Sequence, residues 1–340
     1  MVNFFAALSL VPSDITKMYN LIKKFKISQN VFKNILVTPL FVSNKSLAQI
    51  KQFGKQGTTV LFDSGGYYVQ TGRLTYYELY YPLLQFYKDN PWGNLYTLPD
   101  NVPTSQDSAE TVQRKVEETA KFSQLFYQEL PDELKPKAMG VVQGHSIPQV
   151  DLCLETYLKL GLRQIGFGSF GTIGKNSQVN MATDSAVNLA NYVVNIAKSY
   201  GIRVHFFGLG VPALVAMIYG VGANSFDSSS WLKAAGFGQV FLPFTRAYNI
   251  SHRNASSELQ KGIGIPEFRE LQELTHHRCP FCDSIDELQR HKLYRAMHNL
   301  ICVKETVDIV NSQKYDLIRQ IYTNGSPKYQ QEYEKWLAPA

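Results

Sequence analysis

The sequence contains no long hydrophobic run, since no stretch of its 340 residues approaches the roughly 20 consecutive apolar residues that a membrane-spanning helix needs. Charged residues make up only 18% of the chain and hydrophobic residues 44%, a composition too apolar for a disordered protein. The apolar N-terminal residues lack a basic leader and are followed by Pro12 and Asp14, unlike a signal peptide. These absences predict a cytoplasmic protein with no membrane partner.

Cysteine is scarce, and the excess of positive charge is small. Four Cys are too few for a disulfide framework in a chain of this length, and two of them, Cys279 and Cys282, have the spacing of metal ligands. Lys and Arg number 34 against 28 Asp and Glu, a formal net charge of +6. This surplus is compatible with a nucleic-acid partner but does not require one, because many soluble enzymes carry as much.

Short apolar runs alternate with longer amphipathic stretches, which is typical of repeated βα units. The predicted strands are residues 2–10, 34–41, 58–63, 94–100, 138–144, 163–168, 203–210 and 224–228. This count predicts a TIM (β/α)8 barrel, although a doubly wound open sheet would give similar periodicity. Nearly every predicted strand ends in Asp, Gln or Gly, and in a barrel such ends converge on the face where catalytic residues lie.

The pattern changes after about residue 245. We expect a barrel core over residues 1–245 and a zinc-binding helical subdomain over residues 246–340, packed on the barrel and not separated from it by a linker. Helices are predicted there at residues 285–300 and 303–320.

Two carboxylates lie at predicted strand ends. Asp63 is followed by Ser-Gly-Gly-Tyr-Tyr, in which glycine lets the backbone approach a ligand closely and the tyrosines offer flat surfaces. Asp227 ends a later strand in Phe-Asp-Ser-Ser-Ser-Trp. Paired carboxylates across a pocket are typical of glycosidic-bond chemistry, one as nucleophile and one as proton donor and acceptor. Taken alone, each could instead be a helix cap.

Further polar groups end other predicted strands. Asp100 and Gln143 could read the donor edge and carbonyl of a guanine-like base. The glycine-rich residues 166–171 could bring bare backbone to the same base. This segment resembles a nucleotide-binding fingerprint only weakly, because the early βαβ unit that such a fingerprint requires is missing.

A Cys pair with flanking histidines indicates a closed tetrahedral zinc site of the structural kind. Its four ligands are predicted to be His277, Cys279, Cys282 and His298. His276 and His291 are competing candidates. Cys302 and Cys153 are predicted to be small buried hydrophobic residues.

Taken in order, these motifs resemble the tRNA-guanine transglycosylase superfamily over residues 60–300. The matching segments are Asp63-Ser64-Gly65-Gly66-Tyr67, Val142-Gln143-Gly144, Gly166 to Gly171, Phe207-Gly208-Leu209-Gly210, Phe226-Asp227, the Cys279 and Cys282 pair, and His298-Asn299-Leu300. The resemblance implies a TIM barrel that exchanges a base in a nucleic acid and holds one structural Zn2+ ion.

The resemblance also implies roles for individual residues. Asp227 would be the nucleophile at C1′ of the target guanosine, and Asp63 the general acid and base. The remaining residues would bind the base: Tyr67 and Phe207 from its two faces, Asp100 and Gln143 at its edge, and Gly166, Phe167 and Gly168 as pocket wall.

Three departures from the family pattern favour its DNA-modifying branch. His277 replaces the usual first Cys of the zinc set, Phe167 replaces a glycine and is expected to alter one pocket wall, and Trp231-Leu232-Lys233 replaces a Pro-Thr-Arg stretch. The chain looks more like the DpdA enzymes of bacterial modification islands and phages. Those enzymes insert 7-deazaguanine bases into DNA and occur alongside an ATPase partner.

The sequence therefore predicts a DNA-guanine transglycosylase that inserts a 7-deazaguanine such as 7-cyano-7-deazaguanine into double-stranded DNA. The alternatives are a tRNA-guanine transglycosylase and a non-catalytic nucleic-acid-binding paralogue. Flipping the target base out of the duplex requires phosphate contacts. Candidate contacts, each of which could equally be a solvated surface residue, are Arg278, Lys292, Arg295, Lys304, Lys233 and Arg246.

Overall fold

The computed structural model describes residues 1–8, 10–27, 31–170, 182–251, 262–323, 331 and 334–337. Gly171 of the predicted glycine-rich segment lies outside the described residues. Eight parallel strands form a closed barrel in sequence order. They are β1 (Asn3–Ala7), β2 (Asn34–Val37), β3 (Thr59–Phe62), β4 (Leu95–Thr97), β5 (Ala138–Val142), β6 (Gln164–Phe167), β7 (Arg203–Phe206) and β8 (Ser225–Ser228).

The barrel closes where β8 pairs in parallel with β1, so that Phe4 lies beside Phe226 and Phe5 beside Asp227. This pairing confirms the predicted TIM barrel and excludes the open doubly wound sheet, in which the first and last strands would not meet. Each predicted strand is present, but several are shorter than predicted. β2, for example, ends at Val37 because Pro39 begins a turn of 3-10 helix.

Helices follow the strands around the outside of the barrel. They are α1 (Pro12–Lys24), α2 (Asn44–Lys55), α3 (Gly66–Gln70), α4 (Tyr76–Asp89), α5 (Ala109–Glu129), α6 (Ile147–Lys159), α7 (Asp184–Ser199), α8 (Val215–Val221), α9 (Ser230–Gly236), α10 (Ile265–Leu274), α11 (Ile285–Arg290), α12 (Lys292–Asn311) and α13 (Tyr315–Thr323). A short hairpin of β9 (Gln239–Val240) and β10 (Tyr248–Asn249) follows α9. The described residues contain no helix with the length and apolar character needed to span a membrane.

Alternation along the strands separates two apolar layers. Side chains of one parity fill the barrel interior: Phe5, Ala7, Leu36, Leu61 and Met139, joined by Leu95 and Phe207. Side chains of the other parity, such as Phe4, Val60 and Phe62, belong to the larger core beneath the helices. The interior layer forms the floor beneath the strand ends, where the polar residues collect.

The C-terminal region is tied to the barrel through α12. This helix lies against β1, α1, α8 and α9. Near its middle, the Asn299 side chain accepts a hydrogen bond from Phe241 N and donates to the carbonyls of Trp231 and Gln239. At its end, the Asn311 side chain bonds both the N–H and the carbonyl of Val2. The division at residue 245 stays a prediction.

Candidate active site and metal site

Asp63 follows β3 directly, at the carboxyl end of the barrel. Its Oδ2 accepts hydrogen bonds from Thr38 Oγ1 and from the backbone N–H of Gly65, both at 3.3 Å. Gly65 has a φ of +87°, a left-handed conformation that favours glycine at this turn. Burial, together with the charges of Asp100 and Asp227, raises the pKa of Asp63 from 3.8 to about 7, and the hydrogen bonds from Gly65 and Thr38 oppose that rise. Near neutral pH this carboxyl can therefore both donate and accept a proton.

Asp227 lies in β8 with its side chain buried. Its Oδ1 accepts a hydrogen bond from the backbone N–H of Gly208 at 2.9 Å and lies 3.3 Å from Nε2 of His205. Gly208 has a φ of +71°, so glycine suits the position from which its N–H reaches the carboxylate. Asp63 and Asp227 both lie toward the carboxyl ends of strands of the same closed barrel, and the charge of Asp227 contributes to the raised pKa of Asp63.

His205 was not predicted as a site residue. It is buried in β7, its Nδ1 lies 2.8 Å from Ser225 Oγ, and its ring packs edge-on against Phe207 at 4.6 Å between centroids. The one available signal was parity: in Arg-Val-His-Phe, His205 alternates with the outward-facing Phe206 and so points into the barrel.

Asp100 and Gln143 belong to a buried chain of hydrogen bonds. Asp100 Oδ1 accepts from Ser64 Oγ at 2.5 Å, and Oδ2 accepts from Gln143 Nε2 at 2.7 Å. Gln143 Oε1 in turn accepts from Ser169 Oγ at 2.7 Å. Burial raises the pKa of Asp100, and the hydrogen bonds from Ser64 and Gln143 oppose that rise. These hydrogen bonds hold the Asp100 carboxylate beside the Gln143 carboxamide, as recognition of the edge of a purine would require.

Glycines make room for these side chains. A Cβ on Gly166 would collide with the ring of Phe207, and one on Gly168 would collide with the amide of Gln143. We expected Phe167 to alter one wall of the pocket, but its side chain does not face the pocket. Since it alternates with Gly166, it points out of the barrel and packs, fully buried, against Phe170 and Phe206.

The two aromatic residues predicted to hold the base follow strands that lie opposite one another in the barrel, β3 and β7. Phe207 follows β7 and packs on the interior layer. Tyr67 lies in α3 after β3, is 37% exposed, and has Lys233 Nζ 5.8 Å from its ring centroid. Burial lowers the pKa of Lys233, and the charge of Asp227 acts in the opposite direction.

The predicted zinc ligands come together in one buried group that can hold a metal ion. The ligand atoms of His277, Cys279, Cys282 and His298 all lie within 4.8 Å of one another. Nδ1 of His298 is 3.4 Å from Cys279 Sγ and 3.3 Å from Cys282 Sγ, and the two sulfurs are 3.4 Å apart. Two thiols and two imidazoles suit a tetrahedral ion of borderline softness.

The second nitrogen of each imidazole is already engaged, as in established metal sites. His277 Nδ1 lies 2.5 Å from a carboxylate oxygen of Glu305, and His298 Nε2 lies 2.7 Å from the carbonyl of Phe241. Both histidines thus turn their remaining nitrogen toward the thiols. Glu305 was missed, although His298 and Glu305 are seven residues apart on α12 and therefore share a helix face.

The competing ligand candidates take no part in this group. His276 is exposed, and the exposed His291 pairs with Glu287 at 3.5 Å. Cys302 is buried as predicted, with its sulfur 3.6 Å from Nε2 of both His277 and His298, so it packs beside the ligands. Cys153 is also buried, against the carbonyl of Gln143.

Several predicted phosphate contacts have other partners. Arg295 is buried and donates to the carbonyls of Ala235, Leu288 and Gln289, so it links α12 to α9 and α11. Arg278 pairs with Glu273 at 2.6 Å, and Lys304 pairs with Asp308 at 2.8 Å. Lys233 is the predicted contact that lies beside the candidate nucleophile.

No protein-family model matches the chain, and no curated protein sequence matches it.

Proposed function

We propose that the chain is a DNA-guanine transglycosylase that replaces guanine in DNA with a 7-deazaguanine such as 7-cyano-7-deazaguanine. One observation carries the proposal: Asp63, a carboxyl group whose pKa is raised to about 7, lies at the same end of the barrel as a second carboxylate, Asp227, whose Oδ1 accepts a hydrogen bond from Gly208 N. One group is thus poised for proton transfer and the other oriented for attack. The resemblance of the ordered motifs to guanine transglycosylases supports the same chemistry.

In the first step, an Asp227 oxygen bonds to C1′ of the flipped nucleotide while the C1′–N9 bond breaks. The protonated Asp63 delivers its proton to the departing guanine. In the second step, the ionised Asp63 removes the N9 proton of the incoming base, N9 bonds to C1′, and the ester to Asp227 breaks. Two displacements retain the configuration at C1′, as in retaining glycosidases.

Recognition of the base falls to Asp100 and Gln143. The Asp100 carboxylate can accept hydrogen bonds from the ring N–H and amino group of a guanine, and the Gln143 amide can donate to its carbonyl oxygen. Guanine and a 7-deazaguanine share this edge, so one pocket serves both the leaving and the entering base. Tyr67 and Phe207 would contact the two faces of the base.

The metal in this proposal is one structural Zn2+ ion held by His277, Cys279, Cys282 and His298. When bound, it crosslinks the segment before α11 to α12 and so stabilises the subdomain. Four protein ligands would leave such an ion no open position for a substrate, so we assign it no part in the exchange.

The test is exchange of a labelled base. We would incubate the full chain with labelled 7-cyano-7-deazaguanine and duplex DNA, DNA with an unpaired target guanine, or tRNA, and measure label in polymer. We expect incorporation into DNA, with the unpaired target favoured unless an ATPase helper opens the duplex. Incorporation into tRNA alone would refute the DNA assignment.

The nucleophile is tested by trapping the intermediate. When the chain reacts with DNA in the absence of a replacement base, the covalent protein–DNA intermediate should accumulate and be visible on a denaturing gel. Asp227→Ala should abolish both the adduct and exchange, whereas Asp89→Asn, an exposed carboxylate on α4, should change neither. Exchange that survives Asp227→Ala removes Asp227 from the proposed role.

A further inference from the structure

Exposed aromatic rings border the candidate active site on the side of β2 and β3. Phe41 ends the short 3-10 turn after β2 and is 46% exposed. Its ring stacks on that of Tyr68 in α3, with centroids 3.5 Å apart and planes at 19°. Tyr67 stands edge-on to Tyr68 at 5.7 Å. We call these three rings, together with Arg73 and Lys233, the aromatic rim.

The two cations of the aromatic rim lie over its rings. The guanidinium of Arg73 lies 5.5 Å from the centroid of Tyr68, and Lys233 Nζ lies 5.8 Å from that of Tyr67. Neither forms an ion pair with any carboxylate of the described residues. The rim therefore presents unneutralised positive charge beside flat apolar surfaces.

The aromatic rim is continuous with the candidate catalytic residues. Thr38, three residues before Phe41, donates a hydrogen bond to the Asp63 carboxylate. Burial raises the pKa of Tyr68, and the charge of Asp63 contributes to that rise. At the other end of the rim, burial lowers the pKa of Lys233 and the charge of Asp227 raises it. A polymer with one residue in the active site would thus place the adjoining residues on the rim.

We propose that the aromatic rim binds an unpaired strand of nucleic acid, with a base adjoining the target stacked on Phe41 and phosphates beside Arg73 and Lys233. The proposal deepens the proposed function and rests on it for the identity of the polymer. Aromatic rings interleaved with cations are the surface that single strands require, since every base has a flat face and every linkage a negative charge. A rim that only covered the barrel end would need neither an exposed ring nor unpaired cations.

The test measures binding without chemistry. Fluorescence anisotropy of labelled oligothymidylate, which contains no guanine, reports the dissociation constant of the full chain whether or not base exchange occurs. Phe41→Ala should weaken binding at least about fivefold, the lower bound for losing one stacked base, and Phe41→Trp should restore it. Arg73→Ala should weaken binding and flatten its salt dependence.

The matched control is Tyr81→Ala, which removes a 70% exposed ring on α4. It should leave the dissociation constant within twofold of wild type. The rim assignment fails if wild type binds neither oligothymidylate nor oligouridylate, if Phe41→Ala binds like wild type, or if Tyr81→Ala has the same effect as Phe41→Ala. Tight binding to oligouridylate but not to oligothymidylate would show that the rim binds RNA, and it would overturn the assignment to DNA. Binding that depends on Phe41 in a chain with no exchange activity overturns the proposed function and leaves the rim standing.

Discussion

Nε2 of His205 lies 3.3 Å from Oδ1 of Asp227, across the neighbouring strands β7 and β8. On the other side of the ring, Nδ1 lies 2.8 Å from Ser225 Oγ. If the serine hydroxyl donates to Nδ1, Nε2 carries the ring proton and donates it to the carboxylate. Within the described residues, both hydrogen bonds to Asp227 reach Oδ1 and neither reaches Oδ2, the oxygen that the proposed attack on C1′ would use.

We expect His205→Phe to lower kcat for base exchange about 10- to 100-fold, the cost of losing one hydrogen bond to a charged group. The KM for the base should change little, because Asp100 and Gln143 are untouched. His205→Gln, which can still donate, should recover part of the rate. Steady-state exchange kinetics measure both constants, and thermal unfolding checks that the variants are folded. Unchanged kcat in His205→Phe would show that Gly208 N alone orients the carboxylate.

The raised pKa of Asp63 predicts a pH-dependent cost in stability. Below pH 3.8 the carboxyl is protonated in both folded and unfolded chains and contributes nothing. As pH rises from there to about 7, the unfolded chain releases this proton while the folded chain retains it, so stability falls. Asp63→Asn should therefore be more stable than wild type at pH 8, by roughly 1–2 kcal/mol after allowance for partial exposure.

Urea unfolding at pH 8 and at pH 3.5 measures this difference. The advantage of Asp63→Asn should vanish at the lower pH, and base exchange should be lost at both. The exposed Asp89→Asn variant should show no such pH-dependent gain. Equal stability of Asp63→Asn and wild type at pH 8 would contradict a carboxyl whose ionisation is opposed by its surroundings.

Much of this architecture could be predicted from local sequence. The eight strands were found because each is a short apolar run with a polar or glycine residue at its end, and the closed barrel then brings those ends together. The four candidate metal ligands were found for a similar reason, since two thiols and two imidazoles at short spacing have few other uses. In both cases the prediction needed only the residues of one segment or the number of similar segments along the chain.

The features that were missed depend on contacts between distant segments. The contact of His205 with Asp227 requires the register of β7 against β8, which a single strand does not specify. The bond from His277 to Glu305 requires the packing of α12 against the loop that carries the Cys pair. Phe167 was assigned to the pocket wall because it replaces a glycine of the family pattern, yet alternation along β6 places it on the outer side.

Gly166 is predicted to tolerate no side chain. The added methyl of Gly166→Ala would occupy space that the Phe207 ring now fills, so the ring must move out of the interior layer. We expect a loss of about 1–3 kcal/mol in the free energy of unfolding, together with weaker binding of the base. Urea unfolding and the KM for the base measure the two effects. Gly262→Ala is the control and should be tolerated, because its Cβ would meet no atom of the described residues within 4 Å.

Glu305 is predicted to hold His277 in the orientation that binds metal. Its carboxylate lies 2.5 Å from His277 Nδ1, which fixes the proton there and leaves Nε2 as the ligand atom. We expect the purified chain to contain one zinc ion, and Glu305→Gln to bind it about 10- to 100-fold more weakly while remaining folded at saturating zinc. Competition with a chromogenic chelator measures the affinity, and Asp308→Asn, a neighbouring acidic position on α12, should leave it unchanged. Equal affinities in Glu305→Gln and wild type would show that packing against Cys302 suffices to orient the imidazole.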